Sequence, residues 1–350
     1  MSDFASLSRL GWQGFFQQQL LLEEWGNVLP ARIIEQHKSE IKVATADDII
    51  TLPLTHSMPE MVVGDWVLLE PLDNNEKRFS RLLDRKTCFA RKAAGSKVQK
   101  QLISANVDTA FIVCSMNDDF NLNRIERFLS LVNESAAEAV IVLSKSDQAD
   151  DPEMFIKAVQ SIDPLLMVEA VNCLDSLCIQ QLSPWIKEGA TIAVLGSSGV
   201  GKSTLTNTLL GDAKQDTDGI REDDSKGRHT TTSRSLIGLS SGGLILDTPG
   251  MREIQLADCK EGIAATFADI EAYAEQCRFA DCKHQSEPGC AIQQAVDSGE
   301  LDARRLHNYH KLLKEEAYNS ASLSDRRAND KALGKFYKNT LTQAMELKGR

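Results

Sequence analysis

The residues whose types and spacing best suit chemistry lie past the middle of the chain, where nine of them read GSSGVGKST. The apolar run Thr191–Leu195 precedes them and a helical run follows, which is the context that the phosphate-binding pattern GxxxxGK[ST] requires. Its glycines let successive amides converge on a phosphate at a helix N-terminus, where partial positive charge favours an anion. We expect Lys202 to bridge the β- and γ-phosphates of a nucleotide. The predicted nucleotide contacts are Gly196, Ser197, Ser198, Gly199, Val200, Gly201, Lys202, Ser203 and Thr204.

A second phosphate-side motif, Asp-Thr-Pro-Gly, begins at Asp247, directly after the apolar run Leu244–Leu246. An acid at the end of a strand beside a phosphate loop is placed to hold magnesium, usually through water. Asp247 and the hydroxyl of Ser203 are therefore the predicted Mg²⁺ ligands. Gly250 can present its N–H to the γ-phosphate. Alone this pattern is usually a turn, but 44 residues after Ser203 it indicates the second half of a nucleotide site.

Between these motifs lies a polar stretch, Asp212–Arg228, followed closely by three threonines at positions 230–232. In GTPases a threonine of such a loop closes on Mg²⁺ and the γ-phosphate as an order–disorder switch. Residue type alone does not rank the three threonines. We take Thr231 and Thr232 as the predicted nucleotide contacts.

The residue after Asp-Thr-Pro-Gly is Met251, where Ras-like enzymes place a glutamine that orients water. A thioether cannot orient water for in-line attack, so hydrolysis by the chain alone should be slow. His229, beside the threonines, is the candidate catalytic residue that positions the water. A loop histidine without a chemical role is an equal alternative.

The base-reading motif is expected where the apolar run Ala139–Leu143 ends in Ser144, Lys145, Ser146 and Asp147, close to the guanine motif [N/T]KxD. The carboxylate of Asp147 can accept from N1–H and the 2-amino group of guanine together. Adenine offers neither donor, so discrimination can reach roughly 10⁴–10⁵-fold. Ser144 replaces the usual Asn, which weakens one base or loop contact. Asn172-Cys173 stands where GTPases often carry Ser-Ala, a poor match.

The order of these motifs is unusual, because the base-reading motif precedes the phosphate loop, whereas it follows in common GTPases. A parallel sheet can be cut and rejoined at a surface loop without changing its core. Strand-like runs alternate with helical ones, such as Leu122–Val132, which indicates a doubly wound, mostly parallel α/β sheet. We predict a circularly permuted P-loop GTPase domain over residues 102–256, whose switch elements lead straight into the C-terminal unit.

Three cysteines and a histidine lie within fourteen positions: Cys277, Cys282, His284 and Cys290. Three thiolates and one imidazole suit a closed tetrahedral zinc site, which leaves no open position for chemistry. The spacing is not the usual CxxC, so reduced cysteines near a histidine remain the alternative. A structural zinc would stabilise a small helical domain, predicted over 257–350 with a basic tail.

The first hundred residues divide into three predicted units. Residues 1–27 form a leader that we interpret as a short amphipathic helix. Residues 28–90 carry short strands at the spacing of a small β-barrel. A basic linker occupies 91–101. The predicted barrel strands are Ala31–Ile34, Ile41–Ala44, Ile49–Leu52, Asp65–Leu69 and Ser80–Leu83.

The bulk composition is that of a soluble globular protein, with 42% hydrophobic and 25% charged residues. No run approaches the ~18 apolar residues of a membrane span. We expect a cytoplasmic protein whose eight cysteines are reduced thiols or metal ligands. A net charge of −11 argues against indiscriminate nucleic-acid binding. Residues 76–100 and 301–350 are locally basic, which suits either RNA contact or solvated surfaces.

Together, SKSD before GSSGVGKST, RHTTT, DTPGMRE and C-x4-C-x-H-x5-C resemble the RsgA (YjeQ) family of small-ribosomal-subunit biogenesis GTPases. The resemblance covers residues 28–340. It implies an OB-fold for the barrel and a zinc-binding C-terminal domain. It also implies action on the late-assembling small ribosomal subunit, with ribosomal RNA contacts and a GTPase activity that depends on the ribosomal partner.

The predicted cofactors are GTP/GDP, Mg²⁺ and one structural Zn²⁺. The predicted partners are the small ribosomal subunit and its ribosomal RNA, with no DNA and no membrane, and we expect a monomer. One alternative is a GTP-sensing RNA-binding module whose hydrolysis is incidental. An ATPase with a degenerate base pocket is disfavoured by Asp147.

Overall fold

Short apolar runs along the chain form thirteen strands in the described part of the computed structural model, which comprises residues 4–72, 76–92, 100–211, 234–247, 256–285 and 287–321. The strands are β1 Leu29–Gln36, β2 Glu40–Ala44, β3 Ile49–Pro53, β4 Trp66–Pro71, β5 Lys77–Leu82, β6 Cys88–Lys92, β7 Lys100–Ala105, β8 Thr109–Ser115, β9 Glu138–Ser144, β10 Met167–Val171, β11 Thr191–Leu195, β12 Arg234–Gly238 and β13 Leu244–Asp247.

Ten α-helices occupy the same described residues, together with the 3₁₀ turns Ser8–Leu10 and Ser146–Gln148. The helix predicted over 122–132 is confirmed. Its N-cap is Asn121, whose side chain accepts hydrogen bonds from two amides of the first turn. The helices are α1 Phe4–Leu7, α2 Gly14–Gln17, α3 Leu122–Ser135, α4 Pro152–Gln160, α5 Leu177–Leu182, α6 Lys202–Leu210, α7 Lys260–Thr266, α8 Ala268–Ala274, α9 Ala291–Ser298 and α10 Ala303–Ser320.

The central sheet has the strand order β10-β9-β8-β11-β13-β12. Its first five strands are parallel and β12 is antiparallel. All seven residues of β8 are buried, as expected for a parallel strand that is covered on both faces. The predicted doubly wound, mostly parallel sheet is confirmed. Strand β11 lies at its centre, so the phosphate loop emerges among the carboxyl ends of its neighbours, where open α/β sheets bind ligands.

The five strands predicted for the N-terminal unit are all present and antiparallel, in the order β3-β2-β1-β4-β5. Strand β1 pairs with β2 and β4, and its register with β2 shifts between Ile33 and Glu35. A five-stranded antiparallel sheet agrees with the predicted OB-fold. The far end of β1 also pairs with β12, with Glu35 opposite Ser235, so the barrel continues the central sheet.

Two sets of strands were not predicted. The flanks of the predicted linker belong to β6 and β7, a two-stranded antiparallel ribbon in which Arg91 faces Gln101. The ribbon was not recognised as two strands because of its many basic residues, although Phe89 and Ile103 are buried. Strand β12 was missed because only Leu236 of its five residues is fully buried.

The leader is not the single amphipathic helix that its composition predicts. It consists of α1, a 3₁₀ turn and α2, because the chain turns at Gly11, whose φ is +85°. Its apolar side chains nevertheless pack on the barrel, where Trp12 contacts Trp66 edge to face at 4.8 Å. At the end of the leader, Glu24 accepts two hydrogen bonds of 2.7 Å from Arg81.

The C-terminal helices α7–α10 confirm the predicted helical unit, and α7 and α10 pack against α3. Helix α7 approaches so closely that a Cβ on Gly262 would lie 2.1 Å from the carbonyl oxygen of Ser130. The predicted basic tail beyond residue 321 lies outside the described residues. Within the described ranges, no helix combines the length and the apolar character that a bilayer span requires.

Candidate functional site

The phosphate loop connects β11 to α6, which confirms the strand–loop–helix context that the motif requires. Gly196 has a φ of +142°, and a Cβ there would lie 2.4 Å from the carbonyl oxygen of Val113. Gly199 and Gly201 also have positive φ values, of +80° and +96°. The loop thus has the left-handed backbone that only glycine adopts readily, and its amides lead into the N-terminus of α6.

Lys202 and Ser203 begin α6, on the side of the loop where phosphates would bind. The ammonium group of Lys202 donates a hydrogen bond to the carbonyl oxygen of Ser197 in the same loop. Ser203 and Ser198 are exposed, so both hydroxyls can reach a ligand. The arrangement brings an ammonium group, hydroxyls and a helix N-terminus together, as phosphate binding requires.

Ser144 lies at the end of β9, at the first position of the base-reading motif, and its side chain is fully buried. Its hydroxyl donates a hydrogen bond of 2.6 Å to the carbonyl oxygen of Val200 in the phosphate loop. The sequence predicted that serine in place of asparagine weakens a base or loop contact. A loop contact is present, and it ties the base-reading segment directly to the phosphate loop.

Asp147 is exposed in the 3₁₀ turn that follows Ser144, and Lys145 between them has a left-handed φ of +62°. The neighbouring strand β10 ends at Val171, opposite Ser144, so the segment after β10 lies beside the base-reading turn. Burial, together with the nearby Cys178 and Asp147, raises the pKa of the Cys173 thiol to about 12. The Cys173 thiol therefore stays neutral and presents an uncharged side chain near the turn that carries Asp147.

Asp247 is the last residue of β13 and is half-buried. Since β13 pairs with β11 in parallel, Asp247 lies at the same carboxyl edge as the phosphate loop. Its position agrees with the predicted magnesium ligand. The predicted site residues that lie outside the described residues are His229, Thr231, Thr232 and Gly250.

The four predicted zinc ligands come together between α8 and α9, and their ligand atoms all lie within 4.8 Å of one another. The His284 Nδ1 atom is 3.5 Å from the Cys277 sulfur and 3.6 Å from the Cys290 sulfur, and these sulfurs are 3.9 Å apart. Zn–S bonds of ~2.3 Å and Zn–N bonds of ~2.0 Å at tetrahedral angles give ligand separations of about 3.5–3.8 Å. The donor set fits Zn²⁺, and the three separations among Cys277, His284 and Cys290 are close to these values.

The thiols of this cluster do not ionise alike. Burial opposes ionisation of Cys277, but hydrogen bonds from the amides of Ala291 and Ile292 lower its pKa overall. Burial and the neighbouring thiols raise the pKa of Cys282 to about 11. A bound divalent cation supplies the positive charge that lets all three sulfurs ligate as thiolates.

A buried polar cluster, not predicted from the sequence, joins α3 to α10. The carboxylate of Glu126 has no exposed surface and accepts hydrogen bonds from Arg304 at 3.0 Å, Arg305 at 2.9 Å and Asn308 at 2.5 Å. Arg305 also donates to both carboxylate oxygens of Asp269 on α8 at 2.8 Å. The C-terminal helices are therefore held to α3 by charge-assisted hydrogen bonds as well as by apolar packing.

Sequence reasoning also missed Arg124, in the first turn of α3, whose guanidinium reaches the phosphate loop. Its Nη1 atom is 3.5 Å from the Ser197 hydroxyl and donates to both carboxylate oxygens of Asp119 at 2.7 and 2.8 Å. The only available signal was a charged residue on an otherwise apolar-periodic helix, and that pattern is also typical of a solvated helix face.

Comparison with known proteins agrees with this geometry. The family model described as RsgA GTPase matches residues 82–257. A Vibrio vulnificus protein described as small ribosomal subunit biogenesis GTPase RsgA 2 is 54% identical, over 98% of this chain and 97% of its own length. A Xanthomonas axonopodis protein described as small ribosomal subunit biogenesis GTPase RsgA is 42% identical, over 94% of this chain and 93% of its own length.

Two solved structures share the fold at 25% sequence identity, and each covers 82% of this chain. One is YjeQ from Thermotoga maritima, with a TM-score of 0.62 and 98% of its own chain covered. The other is YloQ, described as a circularly permuted GTPase, with a TM-score of 0.60 and 94% of its own chain covered. The predicted permutation and the predicted family are confirmed. This chain belongs to the RsgA family and is a circularly permuted, GTP-hydrolysing enzyme.

Proposed function

We propose that this GTPase acts in late assembly of the small ribosomal subunit and that the ribosomal partner stimulates its hydrolysis. The nucleotide-binding part of the proposal is carried by the assembly of the permuted motifs into one site, where the Ser144 hydroxyl donates a hydrogen bond of 2.6 Å from the base-reading segment to the phosphate loop. The relatives that are 54% and 42% identical are described as small ribosomal subunit biogenesis GTPases, which supports the assembly role. An assembly role places the protein in the cytoplasm, where ribosomes are built.

The phosphate loop and the two segments beside it bind the nucleotide in this proposal. Loop amides and Lys202 hold the phosphates, and Asp147 reads guanine through N1–H and the 2-amino group. Ser203 and Asp247 hold Mg²⁺, which neutralises charge on the phosphoryl oxygens when it is bound. Exposure of Asp147 and Ser203 supports these roles, because both side chains are accessible to a ligand.

The hydrolytic step uses predicted residues outside the described part of the chain. Thr231, Thr232 and Gly250 close on the γ-phosphate, and His229 positions the attacking water. Met251 cannot perform that task, so turnover by the protein alone is slow and the partner supplies or orders the missing group.

Nucleotide state is coupled to the C-terminal helical unit through α3 in this proposal. The first turn of α3 contacts the phosphate loop through Arg124 and contacts α10 through Asn123, whose side chain accepts from Arg304 at 2.6 Å. One structural Zn²⁺ on the Cys/His cluster keeps the C-terminal unit folded, so a shift of α3 moves it as a body.

The decisive experiment is GTP turnover by the purified protein, alone, with small ribosomal subunits and with large ribosomal subunits. We expect strong stimulation by small subunits only, and none of it in Lys202→Ala. A low rate that small subunits leave unchanged would overturn the proposed stimulation. It would favour the alternative, a GTP-sensing RNA-binding module whose hydrolysis is incidental.

Guanine recognition by Asp147 has its own test. Asp147→Asn presents an amide donor where guanine needs an acceptor, so preference should shift from GTP towards xanthosine triphosphate. Unchanged GTP preference in this variant would remove Asp147 from the base pocket. Asp150→Asn, in the same exposed segment beyond the motif, is the matched control.

A further inference from the structure

Ser197, the second residue of the phosphate loop, is held from two directions by cationic side chains. Its carbonyl oxygen accepts from Lys202, and its hydroxyl contacts the Arg124 guanidinium at 3.5 Å. Lys202 belongs to the loop itself, whereas Arg124 belongs to α3, a separate element. The loop therefore contacts a second cation that its own sequence pattern does not include.

Binding of a phosphate affects these two contacts differently. A phosphate that binds Lys202 takes the ammonium group away from the carbonyl oxygen of Ser197, because that group serves the β- and γ-phosphates. The contact with Arg124 passes through the Ser197 side chain, so it does not compete with phosphate for the same donor. When phosphate binds, Ser197 therefore keeps its contact with Arg124 and loses its hydrogen bond from Lys202.

The Arg124 side chain is itself oriented before any ligand arrives. Asp119 accepts from its Nη1 atom at 2.7 and 2.8 Å, and Asn121 caps the helix turn that carries it. Both side chains of the Arg124–Asp119 pair are about two-fifths exposed, at 43% and 41%. A pair this exposed adds little stability to the fold, and its local effect is to orient the Arg124 guanidinium beside the loop.

We propose that Arg124 is a positioning residue for the phosphate loop, which it holds at Ser197 while Lys202 exchanges the Ser197 carbonyl for a nucleotide phosphate. The inference rests on the proposed role of this loop as the nucleoside di- and triphosphate site. Arg124 acts on affinity, because it fixes the loop conformation that both nucleotides bind. We expect no effect on the chemical step, because Arg124 acts on the loop through the Ser197 hydroxyl.

The test compares Arg124→Gln, Arg124→Lys and Arg127→Gln by fluorescent GDP and GTP titration and by GTPase kinetics. Arg127 is the matched control, because it lies on the same helix but pairs with Glu315 of α10 at 2.7 Å. We expect Arg124→Gln to bind both nucleotides about three- to tenfold more weakly, the effect of losing one long hydrogen bond of 3.5 Å. KM should rise with kcat retained at saturation. Arg124→Lys should recover part of the affinity, and Arg127→Gln should bind like the wild type.

A second variant keeps the test independent of helix stability. Ser197→Ala removes the hydroxyl that Arg124 contacts, and we expect the same loss of affinity without any change on α3. The double variant with Arg124→Gln should lose no more than either single variant, since both remove one contact. Additive losses would overturn the inference.

Three further outcomes would also overturn it: wild-type affinity in Arg124→Gln, an equal loss in Arg127→Gln, or a fall in kcat with KM unchanged. Lys202→Ala separates failure of this inference from failure of the proposed site. If Lys202→Ala loses nucleotide binding and Arg124→Gln does not, only the role of Arg124 fails. If both bind normally, the loop is not the nucleotide site.

Discussion

Glu126→Gln tests the connection between the nucleotide-binding domain and the C-terminal helices most directly. The substitution keeps the size of the side chain but removes the charge that faces Arg304 and Arg305. All of the hydrogen bonds described at the Glu126 carboxylate come from guanidinium or amide N–H groups. The side-chain NH₂ of glutamine would therefore face other N–H donors and could not accept from them.

The expected loss of stability follows from burial and from the remaining partners. Removing one member of a buried ion pair costs about 3–5 kcal/mol, because the partner charge stays buried. Here Arg305 keeps Asp269 and Arg304 keeps Asp302 at 3.2 Å, so the lower end, about 3 kcal/mol, applies. At about 2–4 °C per kcal/mol for a domain of this size, the melting temperature should fall by roughly 6–12 °C.

Differential scanning calorimetry of the zinc-loaded protein measures this effect, with Arg127→Gln as the control. That variant removes a pair whose side chains are 27% and 31% exposed, and such a pair contributes at most about 1 kcal/mol. Adding Arg304→Gln to Glu126→Gln should cost less than Arg304→Gln alone, because the stranded charge is removed. A melting temperature of Glu126→Gln within about one degree of the control would refute the reasoning.

Three other expectations follow from the structure. Ser144→Ala leaves the Val200 carbonyl without its buried donor, so GDP and GTP affinity should fall about tenfold, and nucleotide titration that shows no change would contradict the link. Cys290→Ser should lower bound zinc, measured by atomic absorption, and should loosen the C-terminal helices, whereas normal zinc content would exclude that ligand. The hydrogen bond from Arg81 lowers the pKa of Glu24 below its ordinary 4.5. The ion pair therefore stabilises docking of the leader fully above pH 4.5, and this stabilisation is lost as the pH falls through the lowered pKa of Glu24. Tryptophan fluorescence from the leader should show this acid transition, and Glu24→Gln should lack it.

Much of the central sheet could be predicted because its strands are continuous apolar runs that are buried on both faces. Those runs lie next to the motifs, so β9, β11 and β13 were expected close to their observed bounds. Strand β12 has no such run, since its pairing with β1 and β13 leaves much of it half-exposed. Local composition cannot reveal a strand that is stabilised by partners distant in sequence.

The same distinction applies to the candidate site, where residues in short motifs could be predicted and contacts between distant segments could not. Gly196, Lys202 and Cys290 belong to short patterns whose chemistry depends on spacing, and spacing is visible in the sequence. The contact of Ser144 with Val200 spans 56 positions, and that of Arg124 with Ser197 spans 73. Such contacts arise only when strand order brings remote segments together, so residue type alone does not predict them.

The strand order also has a consequence for synthesis of the chain on the ribosome. Strand β8 is complete at residue 115, but β11, its neighbour in the finished sheet, begins only at residue 191. At about 5–20 residues per second, roughly 4–15 seconds pass between them. During that interval β9 can pair with one edge of β8, while the other edge of this mostly apolar strand stays unpaired. The nascent three-stranded sheet therefore exposes an unpaired edge, and slow translation between residues 115 and 191 would lengthen its exposure to aggregation.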